Sequence, residues 1–151
     1  MLAQIRKFLA APDAAQTPDQ LQIAVAVLLI EAARMDDHFD VAERAAIERV
    51  VAEKFALSPE ATRELLSLAE ATADTTHQLH PFTRLAVERM TPQQRVRLVE
   101  MLWEVAYADG VLDPEEDALL RRVAGLIYVS DADRVAARQR VLQRLGQKPV
   151  G

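Results

Sequence analysis

The chain has 151 residues, half of them hydrophobic but only 5% aromatic, which is enough for a substantial core built from Ala, Leu and Val. A formal net charge of −5 leaves no basic excess to neutralise phosphates, so nucleic acid is not expected as the main partner. The absence of cysteine rules out disulfides, thiolate metal sites and cysteine nucleophiles.

In chain order, Leu2, Ile5, Phe8 and Leu9 have helical spacing up to Pro12, predicting an N-terminal helix over about 1–10. Thr17-Pro18-Asp19-Gln20 then reads as an N-cap followed by Pro in the first turn. The helix it opens should run to about Met35; between Ile23 and Ile30 it has no polar face, so other helices must surround it. That apolar run is too short to span a membrane, and the N-terminus lacks the apolar core of a signal peptide, so a cytoplasmic location without membrane insertion is expected.

A helix from Val41 to about Phe55 should carry Ile47, Val50 and Val51 inward. Ser58-Pro59-Glu60 opens the next, with Leu65, Leu66 and Leu68 apolar, fading into a loop-like Thr72–Gln78. His80-Pro81 begins a short helix ending near Met90. Thr91-Pro92-Gln93-Gln94 launches a second central helix, apolar on most sides through Ala106. Asp113-Pro114-Glu115-Glu116 opens another, with Leu119, Leu120, Val123 and Leu126 inward. Ser130-Asp131 opens the last, with Val135, Val141, Leu142 and Leu145 as its apolar positions and Gly146 as its stop. No strand pattern competes, so the expectation is an all-α bundle of seven to eight helices.

An offset of 73 residues aligns Glu31 with Glu104, Asp36 with Asp109, Asp40 with Asp113, Glu43 with Glu116, Ile47 with Leu120 and Val50 with Val123. The single domain expected over 1–151 therefore reads as two three-helix repeats, about 18–78 and 92–145, related by a pseudo-twofold axis. The extra N-terminal helix precedes them.

The repeat brings two acidic turns, Asp36-Asp37-His38-Phe39-Asp40-Val41-Ala42-Glu43 and Asp109-Gly110-Val111-Leu112-Asp113-Pro114-Glu115-Glu116. Asp40 and Asp113 each precede a Glu by three residues, the spacing of a capping box, and Gly110 suits the left-handed residue after a helix. Capping alone accounts for those four acids. It does not account for Asp36 and Asp109, which fall at helix C-termini, where the dipole disfavours negative charge. Hard divalent cations take clusters of carboxylate and carbonyl oxygens without needing Cys or His. Asp36, Asp40 and Glu43 in one turn, and Asp109, Asp113 and Glu116 in the other, are thus the candidate ligands of a Ca²⁺- or Mg²⁺-type ion, with hydration of a surface turn as the competing account. His38 could add a nitrogen donor that tilts the first turn toward zinc. The second turn is not an EF-hand, because Pro114 and Leu120 occupy its glycine and bidentate-Glu positions.

Glu31 and Glu104, near the ends of the two central helices, either reach the turns as outer ligands or point to solvent, and Arg34 is placed to neutralise Glu31. Arg134, Arg138, Arg140 and Arg144 give the last helix a basic face that either meets solvent, docks an acidic partner or lies over the chain's own acids. His77 and His80 read as loop histidines, and no serine has a nearby histidine to activate it.

These paired acidic turns in an apolar helical duplication resemble the TerB family of tellurite-resistance proteins and the broader TerB-like helical domains. The similarity covers roughly Ala24 to Leu145 and is most specific over Tyr107-Ala-Asp-Gly-Val-Leu-Asp-Pro-Glu-Glu116. The first turn departs from the pattern, with Asp37 in place of Gly and His38 inserted. The resemblance implies a bundle of two related halves, divalent-metal binding by the six acids, and a cytoplasmic role beside membrane-linked stress-response assemblies. The function expected is a non-enzymatic, metal-binding or metal-responsive module that docks a protein partner. A structural adaptor whose acids only cap helices is the alternative, and a carboxylate-metal hydrolase would require the two turns to lie together beside a pocket.

Overall fold

The computed structural model describes residues 19–34, 41–76, 78–108, 110 and 114–146. Over these residues the chain is all-helical, with seven helices and no strand: α1 (Gln20–Ala33), α2 (Val41–Phe55), α3 (Pro59–Thr75), α4 (His80–Arg89), α5 (Pro92–Ala106), α6 (Pro114–Leu126) and α7 (Asp131–Arg144). The N-terminal helix expected over 1–10 lies outside the described residues.

Local chemistry sets the helix starts. The Ser58 hydroxyl accepts from the Ala61 amide at 3.1 Å, and Ser130 accepts from Asp133 at 3.1 Å. Thr91 and Gln94 close a full capping box, at 3.2 Å in one direction and 2.9 Å in the other. At α1 the cap is Asp19 rather than Thr17: its carboxylate accepts from the Gln22 amide at 2.7 Å, and Gln22 reaches back at 3.3 Å. An anionic acceptor three residues before a Gln makes a stronger box than the threonine upstream.

α1 and α5 are the buried pair. Residues 24–30, Ala32 and Ala33 of α1 are buried, as are Leu98, Val99, Leu102, Trp103 and Val105 of α5. α1 packs on α2, α3, α4, α5 and α6, and α5 packs on α2, α6 and α7. This all-round contact is what an apolar helix without a polar face requires.

Several expected core positions are instead at the surface. Leu68, Leu126, Val135 and Leu145 are all more than a third exposed, because the inward stripes of α3, α6 and α7 run through other residues: Leu65, Leu66 and Ala69, Leu120, Val123 and Ala124, and Ala137, Val141 and Leu142. The stretch from Thr72 is not a loop up to residue 75. Ala73 is buried, and the Thr72 hydroxyl donates to the Leu68 carbonyl at 2.8 Å, so α3 continues to Thr75. His80 is the first residue of α4, and His77 lies outside the described residues.

The helix starts of the second half follow those of the first closely: 92, 114 and 131 against 20, 41 and 59. α2 and α6 both end on a left-handed residue that is not glycine, Ala56 (φ 52°) and Tyr128 (φ 60°). Each is followed by an amide that bonds back five residues, Leu57 to Ala52 at 3.0 Å and Val129 to Ala124 at 2.9 Å, the Schellman closure.

Candidate functional site

Helix direction decides where the acidic turns can sit. Arg34, at the end of α1, and Arg44, in the first turn of α2, both reach Glu70 on α3, so α2 starts where α1 stops. Arg34 also meets Asp74 at 2.7 Å, so its charge is spent on α3. Along α5, Arg49 of α2 meets Glu104 at 3.8 Å, while Lys54, further along α2, shares a cleft with Arg97, an earlier residue of α5. α2 therefore begins beside the end of α1 and runs antiparallel to α5. The C-terminal ends of α1 and α5 consequently lie at the same end of the bundle as the start of α2.

Two of the six candidate ligands are described, and both are buried. Glu43, in the first turn of α2, and Glu116, in the first turn of α6, are each 1% exposed, and both engage further groups. Asp36, Asp40, Asp109 and Asp113 lie outside the described residues. Gly110 has φ +84°, the left-handed conformation expected of it. Among the described residues no three His, Asp or Glu side chains converge as a metal cluster.

Burial separates Glu43 and Glu116 from the exposed carboxylate of an ordinary capping box. A surface Glu at the third helical position is hydrated and modestly useful. A carboxylate with 1% exposure has exchanged its water for protein, a cost that only hydrogen bonds, a cation or a bound proton offsets. The signal for this was in the spacing. Glu43, Ile47, Val50 and Val51 form an i, i+4, i+7, i+8 stripe, and Glu116, Leu120, Val123 and Ala124 form the same one. Each glutamate is thus the first member of an otherwise apolar inward row.

Glu104 pairs with arginines of α2 and α7. It accepts from Arg144 of α7, and Glu100 meets Arg144 at 2.9 Å and Arg140 at 3.0 Å. Burial works against the Arg144 charge, but the bonds to Glu100 and Glu104 outweigh it and lift its pKa above the ordinary value. Arg138 lies 5.7 Å over the Trp103 ring and donates to the Tyr107 hydroxyl at 2.9 Å. Arg134 meets Asp131 at 3.4 Å. The basic face of α7 is accordingly folded down onto acids and aromatic rings of the chain itself.

No helix among the described residues is long and apolar enough to cross a membrane. No curated protein and no solved structure gives a significant match to the chain. The family model described as tellurite resistance protein TerB matches residues 22–139, which takes in all seven helices up to the middle of α7. With that match over most of its length, the chain belongs to the TerB family of tellurite-resistance proteins.

Proposed function

We propose that this TerB protein is a non-catalytic, divalent-cation-responsive docking module. A Ca²⁺- or Mg²⁺-type ion would be held by Glu43, Glu116 and the turn aspartates Asp36, Asp40, Asp109 and Asp113. The observation that carries the reading is the burial of Glu43 and Glu116, each 1% exposed at the start of its helix. Two buried carboxyl groups in sequence-related turns offer a hard cation oxygen donors already withdrawn from bulk water. The placement of the C-terminal ends of α1 and α5 at one end of the bundle supports it.

A bound ion would fix the joints between α1 and α2 and between α5 and α6, changing the surface offered there to a protein partner. Val41, 85% exposed in the first turn of α2, is an apolar contact for such a partner beside the joint. The family match supports a role tied to tellurite resistance, and a stress-response role in the cytoplasm goes with that reading.

Trp103, the sole tryptophan, provides a reporter, being stacked 5.8 Å from Tyr107 at the end of α5. Titration of Ca²⁺ and Mg²⁺ into the chelator-treated protein should produce saturable heat, a change in Trp103 emission and a higher melting temperature. All three responses should vanish in Asp109→Asn/Glu116→Gln. Equal, negligible heats and unchanged melting in both proteins would sink the reading in favour of a structural adaptor whose acids serve the helix ends.

A further inference from the structure

One helix of the bundle has no opposite number. Exchanging α1 with α5, α2 with α6 and α3 with α7 carries much of the packing of one half onto the other. α1 on α2 becomes α5 on α6, α1 on α3 becomes α5 on α7, and α1 on α6 becomes α5 on α2. The contact of α2 with α3 has no equal between α6 and α7, and α4 has no counterpart at all among the described residues. α4 precedes α5 in the chain and lies against α1 and α6. Its counterpart would be a helix that precedes α1 and lies against α5 and α2.

The sequence holds a segment of that kind in that place. Leu2, Ile5, Phe8 and Leu9 fall on one side of a helix ahead of Pro12, with Arg6 and Lys7 off that side. α4 and its flanking residues bury Leu79, Thr83, Ala86 and Met90 at a comparable spacing.

The surface where such a helix belongs is grooved. Between α2 and α5 lies a cleft of about 350 Å³, with the buried side chains of Val50 and Met101 at its base and Glu53, Lys54, Arg97 and Glu100 along its sides. The sides carry both signs, so charge does not select the occupant. Their alkyl stems extend the apolar base while the charged ends turn to water, the surface on which an amphipathic helix lies.

The chain can reach it. Arg89, at the end of α4, bonds Gln20 at 3.4 Å and stands three residues before Pro92, so α1 and α5 begin at the same end of the bundle. Lys54 and Arg97, in the last turn of α2 and the first half of α5, put the cleft toward that end. Residues 11–18 connect the apolar segment to α1, and a chain of that length spans up to about 26 Å.

We propose that residues 2–9 form an amphipathic helix that docks in the cleft between α2 and α5. Leu2, Ile5, Phe8 and Leu9 lie against Val50, Met101 and the stems of Lys54 and Arg97, giving α5 the cover that α4 gives α1. The docking uses none of the acidic-turn residues and stands or falls independently of the cation reading.

The test is paramagnetic broadening in the full-length protein. The chain has no cysteine, so Lys7→Cys carries a single nitroxide on the polar side of the segment. Amide signals of residues 50–54 and 97–101 should lose most of their intensity relative to the reduced label, while Ser67 and Leu68, exposed on α3, keep theirs. Adding Phe8→Ser/Leu9→Ser should restore the cleft signals, with circular dichroism verifying that the bundle stays folded. Full intensity at the cleft in the labelled protein, or loss at Ser67 and Leu68 in its place, would overturn the proposal. Loss that survives Phe8→Ser/Leu9→Ser would overturn it too, since a tether without docking does the same. So would equal loss in a mixture of nitroxide-labelled and separately isotope-enriched chains, which would assign the cleft to the segment of a second copy.

Discussion

Ala56 and Tyr128 show how a single residue can be set against its backbone. Both are left-handed without being glycine, a conformation that costs an L-residue about 1–2 kcal/mol, while glycine costs about 0.4–1 kcal/mol through the unfolded chain. Ala56→Gly should therefore stabilise the protein by about 0.5 kcal/mol in urea denaturation, the difference of these two terms. Tyr128→Gly should stabilise it similarly. Lys54 gives a pH signature. Its folded pKa is below 10.5, so between the two values the unfolded chain binds more protons and stability rises with pH. The penalty of its charge is full at neutral pH and relieved as pH climbs toward 10.5. Lys54→Met should accordingly raise the denaturation midpoint at pH 7, with the gain over wild type shrinking at alkaline pH. Glu53, Arg97, Glu100, Glu104 and Arg144 line the same cleft, so the comparison is best made at one ionic strength.

At the level of the helix, starts were legible and inward faces only partly so. Ser58, Thr91 and Ser130 each cap where the side chain and the following residues dictate, because a cap is a contact within four residues. Thr91→Ala should cost about 1 kcal/mol in thermal or urea unfolding, and Thr91→Asp should retain most of it. A smaller loss for the alanine variant would mean that Pro92 and packing alone hold the start of α5. Leu126 is apolar and near the inward phase of α6, and Val135 and Leu145 are apolar positions of α7. They turned out more than a third exposed, since which side of a helix faces inward depends on neighbours far away in sequence. Glu43 and Glu116 set charge against phase. Their charge marks them as surface residues, whereas their phase with Ile47 and Leu120 marks them as inward, and the structure follows phase.

Across the whole molecule, α1 and α5 carry the core and Glu70 ties one end of it. Leu28 and Leu102 are 1% and 0% exposed, so either one changed to Ala should cost about 2–5 kcal/mol, enough to lower the melting temperature by several degrees. Glu70 receives both Arg34 and Arg44, joining the end of α1 to the start of α2 through α3. Glu70→Gln should cost about 1 kcal/mol, given partly exposed pairs. It should also weaken the response of Trp103 to divalent cation, if that response depends on the joint Glu70 secures; an unchanged response would place the joint outside the mechanism.

The sequence by itself determined an all-α chain, the position of nearly every helix start and the family to which it belongs. Those follow from turn chemistry, apolar period and a local motif, all of which act over a few residues. Only the tertiary structure decided that the two central helices stop at the same end of the bundle and that two of the acidic-turn glutamates are withdrawn from water. It also decided that the arginines of α7 are occupied by Glu100, Glu104 and the ring of Trp103. The reason is physical: the course of a helix and the choice of an ion-pair partner are fixed by contacts between segments 26 or more residues apart, which local spacing does not encode, and the phase of Glu43 and Glu116 marks an inward side without saying what packs over it.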